Sequence, residues 1–321
     1  MTVLFLLLLG CILSHSQLSL SYAAMGLELW FRKMIPSLLP FMILSGIMVR
    51  MKLTDKVSMV IYPIVKPIYK IRKNVCYAML MGFLCGFPMG ARVVDDLYIR
   101  RMITRREAEY LLAFCNNIGP VYFCSFVLPL LGRRLVFPYL FGMYGIPLLY
   151  GLVLRYTVFR GLPLPTENGD SPSRREDAGY SRAPLVSCED RPEPSFGERL
   201  LEETENAIHS AVQSMLSLGG YMILFNLLNL LPHVLSGHPP ALLPPLLEIT
   251  GGLMMLGDSL PLYSFLALSL GGLSCLAQTY SCIKGSDLSI RGYVLHKILL
   301  TLLNAFYYLC WFLLLPASFL H

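Results

Sequence analysis

Long apolar runs separated by short polar links dominate the chain, and most breakers and charges gather in or beside the links. Residues 2 to 13 are continuously apolar, and more Leu occurs as far as Leu20. With no basic leader and no A-x-A site, this stretch predicts a first transmembrane helix rather than a cleaved signal peptide. Ala23 to Lys33, with Trp30 beside Arg32 and Lys33, reads as an interfacial helix. Two short apolar segments come next, MIPSLLPFMILSGIMV and VSMVIYPIVKPIYKI, with prolines at 36, 40, 63 and 67. Their length predicts a re-entrant hairpin rather than two crossings. A helix from Val75 to about Arg100 is interrupted at Gly86–Gly90. The next starts at Thr104, with Glu107 at the capping-box position, and runs to Leu131 past Asn116, Asn117, Gly119 and Pro120. Val136 to Phe159 predicts another crossing.

The pattern then lapses. Residues 161–198 are rich in Pro, Ser and charge and predict an extended or disordered linker. Beyond it the first half is echoed. Glu202 to Gln213 is a polar-to-apolar lead-in. MLSLGGYMIL at 215–224 overlays IPSLLPFMIL at 35–44, and LLPPLLEITGGLMML stands where the Pro-rich 57–71 segment stood. The stretch SLGGLSCLAQTYSCIKGSDLSIRGYVLHKIL at 269–299 echoes residues 83–114 at a shift of 185, with Gly271 opposite Gly86 and Ser289 opposite Thr104. Since a hairpin adds no crossing, three helices separate the two starting points, and an odd number inverts the second repeat. The expected fold is therefore an all-α polytopic membrane protein, an inverted-repeat transporter with two re-entrant hairpins and broken helices. Its parts are an N-terminal helix (1–20), a first repeat (21–132), a connecting helix (133–160), the linker (161–198) and a second repeat (199–321).

Composition narrows the class. The 321 residues are 55% hydrophobic and 14% charged, as a bilayer-embedded chain requires. Nine cysteines form no CxxC pair and six histidines show no metal spacing, so neither metal nor cofactor is expected. No HExxH, GxSxG or P-loop is present, and an enzyme is not expected. The net charge of +6 divides unevenly, about −4 in the linker and about +10 elsewhere. That balance suits lipid headgroups and an anionic solute, and nothing points to nucleic acid. Loops at 66–74, 133–134 and 284–291, with Arg32-Lys33, are expected on one face, and 99–106 with the linker on the other.

Several motifs resemble the YlbJ (SpoVV) family of sporulation integral membrane proteins, which carry the nucleoside-recognition or gate domain. They are PSLLPF at 36–41, CGFPMGA at 85–91, FCNNIGP at 114–120, LEITGG at 247–252 and SLGGLSCLAQ at 269–278. The resemblance covers about residues 21 to 315 outside the linker. It implies a distant likeness to concentrative nucleoside transporters, with hairpins and broken helices around a central site. It also implies export of dipicolinic acid toward the forespore, across the mother-cell-derived membrane around it. A nucleoside or other solute carrier of the same fold, and a non-transporting scaffold for cortex or coat assembly, are the alternatives. The coupling ion, proton or sodium, and a homo-oligomeric state stay open.

Helix ends exposed by breaks suit carboxylates. The breaks are expected at Pro36–Pro40, Gly86–Gly90, Ser217–Gly220 (with Gly219) and Gly271–Gly272. Candidate substrate-binding donors are Ser37, Asn116, Asn117, Ser217, Thr250, Ser274 and Gln278; Asn117 and Gln278 lead, because an amide in hydrocarbon needs partners. Glu248, a lone intramembrane carboxylate, is a candidate for coupling or gating unless it lies at the interface. Arg92 pairs with Asp95 or Asp96, or meets a substrate carboxylate; the two acids are expected at a helix surface. Phe87, Phe114, Tyr122 and Tyr221 either stack on an aromatic substrate or pack in the core.

Overall fold

The computed structural model describes residues 2–51, 53–132, 135–164, 195–238 and 242–314, and every regular element among them is helical. Most of the expected linker lies outside the described residues. Among the described residues, five helices are long and apolar enough to cross a bilayer: Ser16–Arg50, Val136–Tyr156, Phe196–Ser236, Pro261–Ile283 and Ile290–Leu314. The chain is a polytopic membrane protein. In order, the helices are α1 (Thr2–Ser14), α2 (Ser16–Arg50), α3 (Thr54–Ser58), α4 (Tyr62–Tyr69), α5 (Lys73–Cys85), α6 (Met89–Ile99), α7 (Arg105–Phe114), α8 (Pro120–Leu131) and α9 (Val136–Tyr156). After the linker come α10 (Phe196–Ser236), α11 (Leu243–Leu247), α12 (Ile249–Leu256), α13 (Pro261–Leu270), α14 (Gly272–Ile283) and α15 (Ile290–Leu314).

The two longest helices, α2 and α10, lie antiparallel. Tyr22 meets His233 at 2.8 Å, the Trp30 indole donates to Met215 O at 2.9 Å, and Arg50 faces Glu203 at 3.5 Å. This corrects the expected interfacial helix and first hairpin arm, since residues 16–50 form one helix. A wider π turn at Trp30–Met34 carries it past Pro36, and both Pro36 and Pro40 face outward. The donor a proline lacks there leaves no packed neighbour unsatisfied. The expected break at Ser217–Gly220 is likewise absent, and α10 runs through it. A Cβ on Gly219 would come within 2.5 Å of the Trp30 ring, whereas one on Gly220 would meet nothing. Gly219 is a packing notch.

The segment expected as one broken crossing, 75–100, does something else. Helices α5 and α6 fold back on each other around Gly86-Phe87-Pro88, so closely that a Cβ on Gly90 would lie 3.1 Å from Gly82 Cα. Helices α11 and α12 fold back in the same way around Glu248, with Gly252 against Pro244 and Pro245. By contrast α13 and α14 continue one 23-residue span, interrupted at Gly271. Gly86 and Gly271 therefore sit in interruptions of different kinds, and the overlay that paired them matched unlike elements.

Helix α7 begins as expected, with the Thr104–Glu107 capping box formed in both directions. Its far end gives way to the 115–119 interruption before α8. Helix α9 packs along α7, where Tyr110 donates to Gly151 O at 3.0 Å. Helix α15 packs along α13, joined by Asn304 donating to Ser269 at 2.7 Å. Beyond the membrane-facing ends, Asp287 accepts from Tyr98 at 2.7 Å and pairs with Arg105 at 3.2 Å, and Asn74 donates to Met102 O at 3.4 Å. The 66–74, 99–106 and 284–291 connections thus share one end of the molecule, which corrects the expected separation of 99–106 from the other two. Residues 133–134 lie outside the described residues.

Candidate functional site

The interruptions meet. Phe87 N donates to Asn117 O at 2.7 Å, tying the α5–α6 turn to the 115–119 break. Gly86, at φ +75°, lies so close to Gly119 that any Cβ would overlap its backbone nitrogen. The Phe87 ring continues to Gly271, where a Cβ would be 3.1 Å away. The approaches at Gly86 and Gly119 meet backbone and need a residue without a side chain, and Gly271, at φ +83°, holds a left-handed conformation that favours glycine.

A central chamber of about 40 Å³ opens beside this junction. Ser37, Phe87, Tyr122, Glu248, Thr250 and Gln278 are among the residues around it, so α2, the α5–α6 turn, α8, the α11–α12 turn and α14 all contribute. A water occupies about 10–15 Å³ on this measure, so the chamber as it stands has room for a few waters only. A larger half-open cavity of about 190 Å³ lies on the other side of Leu218 and Gln278, which line both. Arg92, Ser214, Ser217, Tyr221, Ser281 and Lys284 line this second space. It is polar, carries two cations, and is large enough for a small organic molecule.

Glu248 is 2% exposed, buried inside the helical body. Its carboxylate accepts from Thr250 N at 3.1 Å, Gly251 N at 2.6 Å and the Asn226 amide at 3.2 Å. It caps α12, satisfying amides that would otherwise be orphaned at the helix start. Tyr122 donates to the Thr250 hydroxyl at 3.2 Å, and Ser37 donates to Lys33 O at 2.6 Å within its own helix. Gln278 donates to Ser274 at 2.8 Å, holding its amide at the boundary of the two spaces. Gly272 approaches Pro245 O, and a Cβ there would be 3.1 Å away.

Asn116 and Asn117 stand behind the chamber. Asn116 donates to Thr279 at 3.0 Å and Tyr293 at 3.1 Å; Asn117 donates to Phe114 O at 2.6 Å. Arg92 pairs with Asp96 at 3.4 Å, one turn along, and also donates to Ser210. Asp95 is buried rather than at the surface, which corrects that expectation: α6 lies inside the fold rather than at its edge. Phe114 packs in the core among Tyr69, Phe83 and Tyr110, Tyr122 and Phe87 face the chamber, and Tyr221 faces the larger cavity.

Sequence reasoning passed over Lys297. It lies in α15, is 3% exposed, and donates to Asn116 O at 3.2 Å and Asn117 Oδ1 at 3.1 Å. Its ammonium sits 5.3 Å from the centre of the Phe87 ring. The signal was present, a charge well inside an apolar run, which by default marks function. Lys284 was passed over because it reads as part of a loop.

Among the described residues no cluster of His, Cys, Asp and Glu has metal-site geometry. No family model matches the chain, and no solved structure matches it. The sporulation integral membrane protein YlbJ of Bacillus subtilis (strain 168) is 28% identical over 247 residues, 72% of this chain and 56% of that protein. The chain thus spans about half the length of the curated relative it matches. Together with the all-helical, membrane-spanning architecture, this match supports membership of the chain in the YlbJ family.

Proposed function

We propose that the protein is a membrane transporter acting in sporulation, that it moves a small organic anion, and that dipicolinate is the substrate to test first. The observation that carries this reading is the meeting of four backbone interruptions beside a buried, largely apolar chamber with a few polar groups and a larger cationic cavity. Irregular backbone at membrane depth is tolerated where protein buries it or where it lines a watery space. Transporters use such interruptions to aim backbone groups at a solute near the midplane.

The architecture is then an inverted repeat. Helices α2 and α10 open the two halves in opposite directions. In each half there come a folded-back pair (α5–α6, α11–α12), an interrupted crossing (α7–α8, α13–α14) and a closing helix (α9, α15). On this reading the folded-back pairs are the re-entrant hairpins. The anion rests first in the larger cavity, where Arg92 and Lys284 supply charge and Ser217 and Gln278 supply neutral donors. The sporulation role rests on the name of the relative, and dipicolinate on the motif resemblance.

The test is uptake of labelled dipicolinate by proteoliposomes, with a labelled nucleoside run in parallel. Saturable dipicolinate flux is expected, cut at least tenfold in Gln278→Ala and lowered in Lys284→Gln. Nucleoside flux alone would keep the transporter and replace the substrate; no flux of either from folded protein would remove the transport reading.

A further inference from the structure

Lys297 is a cation inside the helical body with no acid beside it. Among the described residues no carboxylate forms an ion pair with it. Its ligands are neutral: a backbone carbonyl, a side-chain amide oxygen and the face of Phe87. The carbonyl belongs to Asn116, just past the end of α7. Carbonyls at a helix C-terminus lack intrahelical partners and carry the negative end of the macrodipole. In broken-helix transporters, unwound carbonyls and half-helix C-terminal ends are where a coupling sodium ion is held. At this break an ammonium takes the same kind of ligands, and the ring face adds a further attraction for a cation.

We propose that Lys297 is a tethered substitute for a coupling metal ion, holding the 115–119 break in shape so that the site is assembled without dissolved sodium or potassium. Its role in transport rests on the proposed function; its role as a built-in cation does not. Lys297 is a positioning residue here. It holds Asn116 and Asn117, Asn117 O holds Phe87, and Phe87 lines the chamber.

The test uses the purified full chain in detergent, with thermal midpoints measured in sodium, potassium, methylammonium and choline chloride at equal ionic strength. The wild type is expected to unfold at the same temperature in all four. Lys297→Ala, which empties the socket, is expected to unfold several degrees lower and to recover selectively in sodium or methylammonium chloride. Lys297→Met, which fills the socket without charge, is expected to be lowered and not to recover. If the alanine variant does not survive purification, Lys297→Gly carries the same salt comparison. A wild type selectively stabilised by sodium or potassium overturns the proposal, as does an emptied socket indifferent to every small cation. Dipicolinate uptake without sodium or potassium separates the two readings. An ion-indifferent wild type with flux of neither dipicolinate nor nucleoside keeps the lysine's role and removes transport, and flux that needs sodium does the reverse.

Discussion

At the scale of single residues, the junction depends on atoms that are not there. Gly86 holds φ +75° and ψ −171°, a region open essentially to glycine alone. Forcing another residue into it costs about 1–3 kcal/mol. Its hydrogen also faces the backbone of Gly119. Gly86→Ala should therefore separate the α5–α6 turn from the 115–119 break, lowering the thermal midpoint well beyond what Gly132→Ala does. Gly132 has a similar φ of +77° but open space around it, so the difference between the two variants isolates the contact. Equal losses would mean that strain alone matters and that the two breaks do not support each other. Breakers such as Gly86 and Gly119-Pro120 were legible in the sequence because a missing side chain or donor acts locally. Lys297 was not, because its partners lie about 180 residues away, and only packing joins them.

At the scale of elements, a glycine pair in an apolar run has two readings, hinge or notch, and α10 separates them. Gly219→Leu would push against the Trp30 indole and pry α2 from α10, so loss of stability is expected. Gly220→Ala meets open space and should be neutral or gain up to about 1 kcal/mol of helix propensity. Thermal unfolding of both variants checks this, and a Gly220→Ala protein that unfolds earlier than wild type would restore the hinge. The same contrast shows what sequence could and could not reveal about elements. The α7 start was legible from Thr104 and Glu107, which bond within one turn. Whether an interrupted segment continues or folds back was not. The α5–α6 turn is set by Gly82 meeting Gly90, and the α13–α14 span continues through a break built from the same residue type. Prolines misled for a related reason: Pro36 and Pro40 look like breaks, but the π turn before them and their outward placement let α2 run on.

At the scale of the whole molecule, the ties at Asp287 regroup the loops. The end that holds Asp287 also carries Lys66, Lys70, Arg100, Arg101, Lys284 and Arg291. The described connections at the other end hold His233, His238 and Asp258 instead. A Lys/Arg excess of this kind marks the cytoplasmic side. In cells expressing a cysteine-free background, Arg101→Cys and Gly285→Cys should both resist a membrane-impermeant maleimide until permeabilisation. Asp258→Cys should react from outside. Labelling of Arg101→Cys and Gly285→Cys from opposite faces would break the regrouping.

Glu248 adds a consequence of its own. The start of α12 is a docking point for negative charge, and the chain has moored its own carboxylate there. An incoming carboxylate at that point is a rival, not a first occupant. Its net affinity there would be the difference between two similar attachments, which weakens retention at that point. For the transporter proposed above, a berth already taken favours passage over storage.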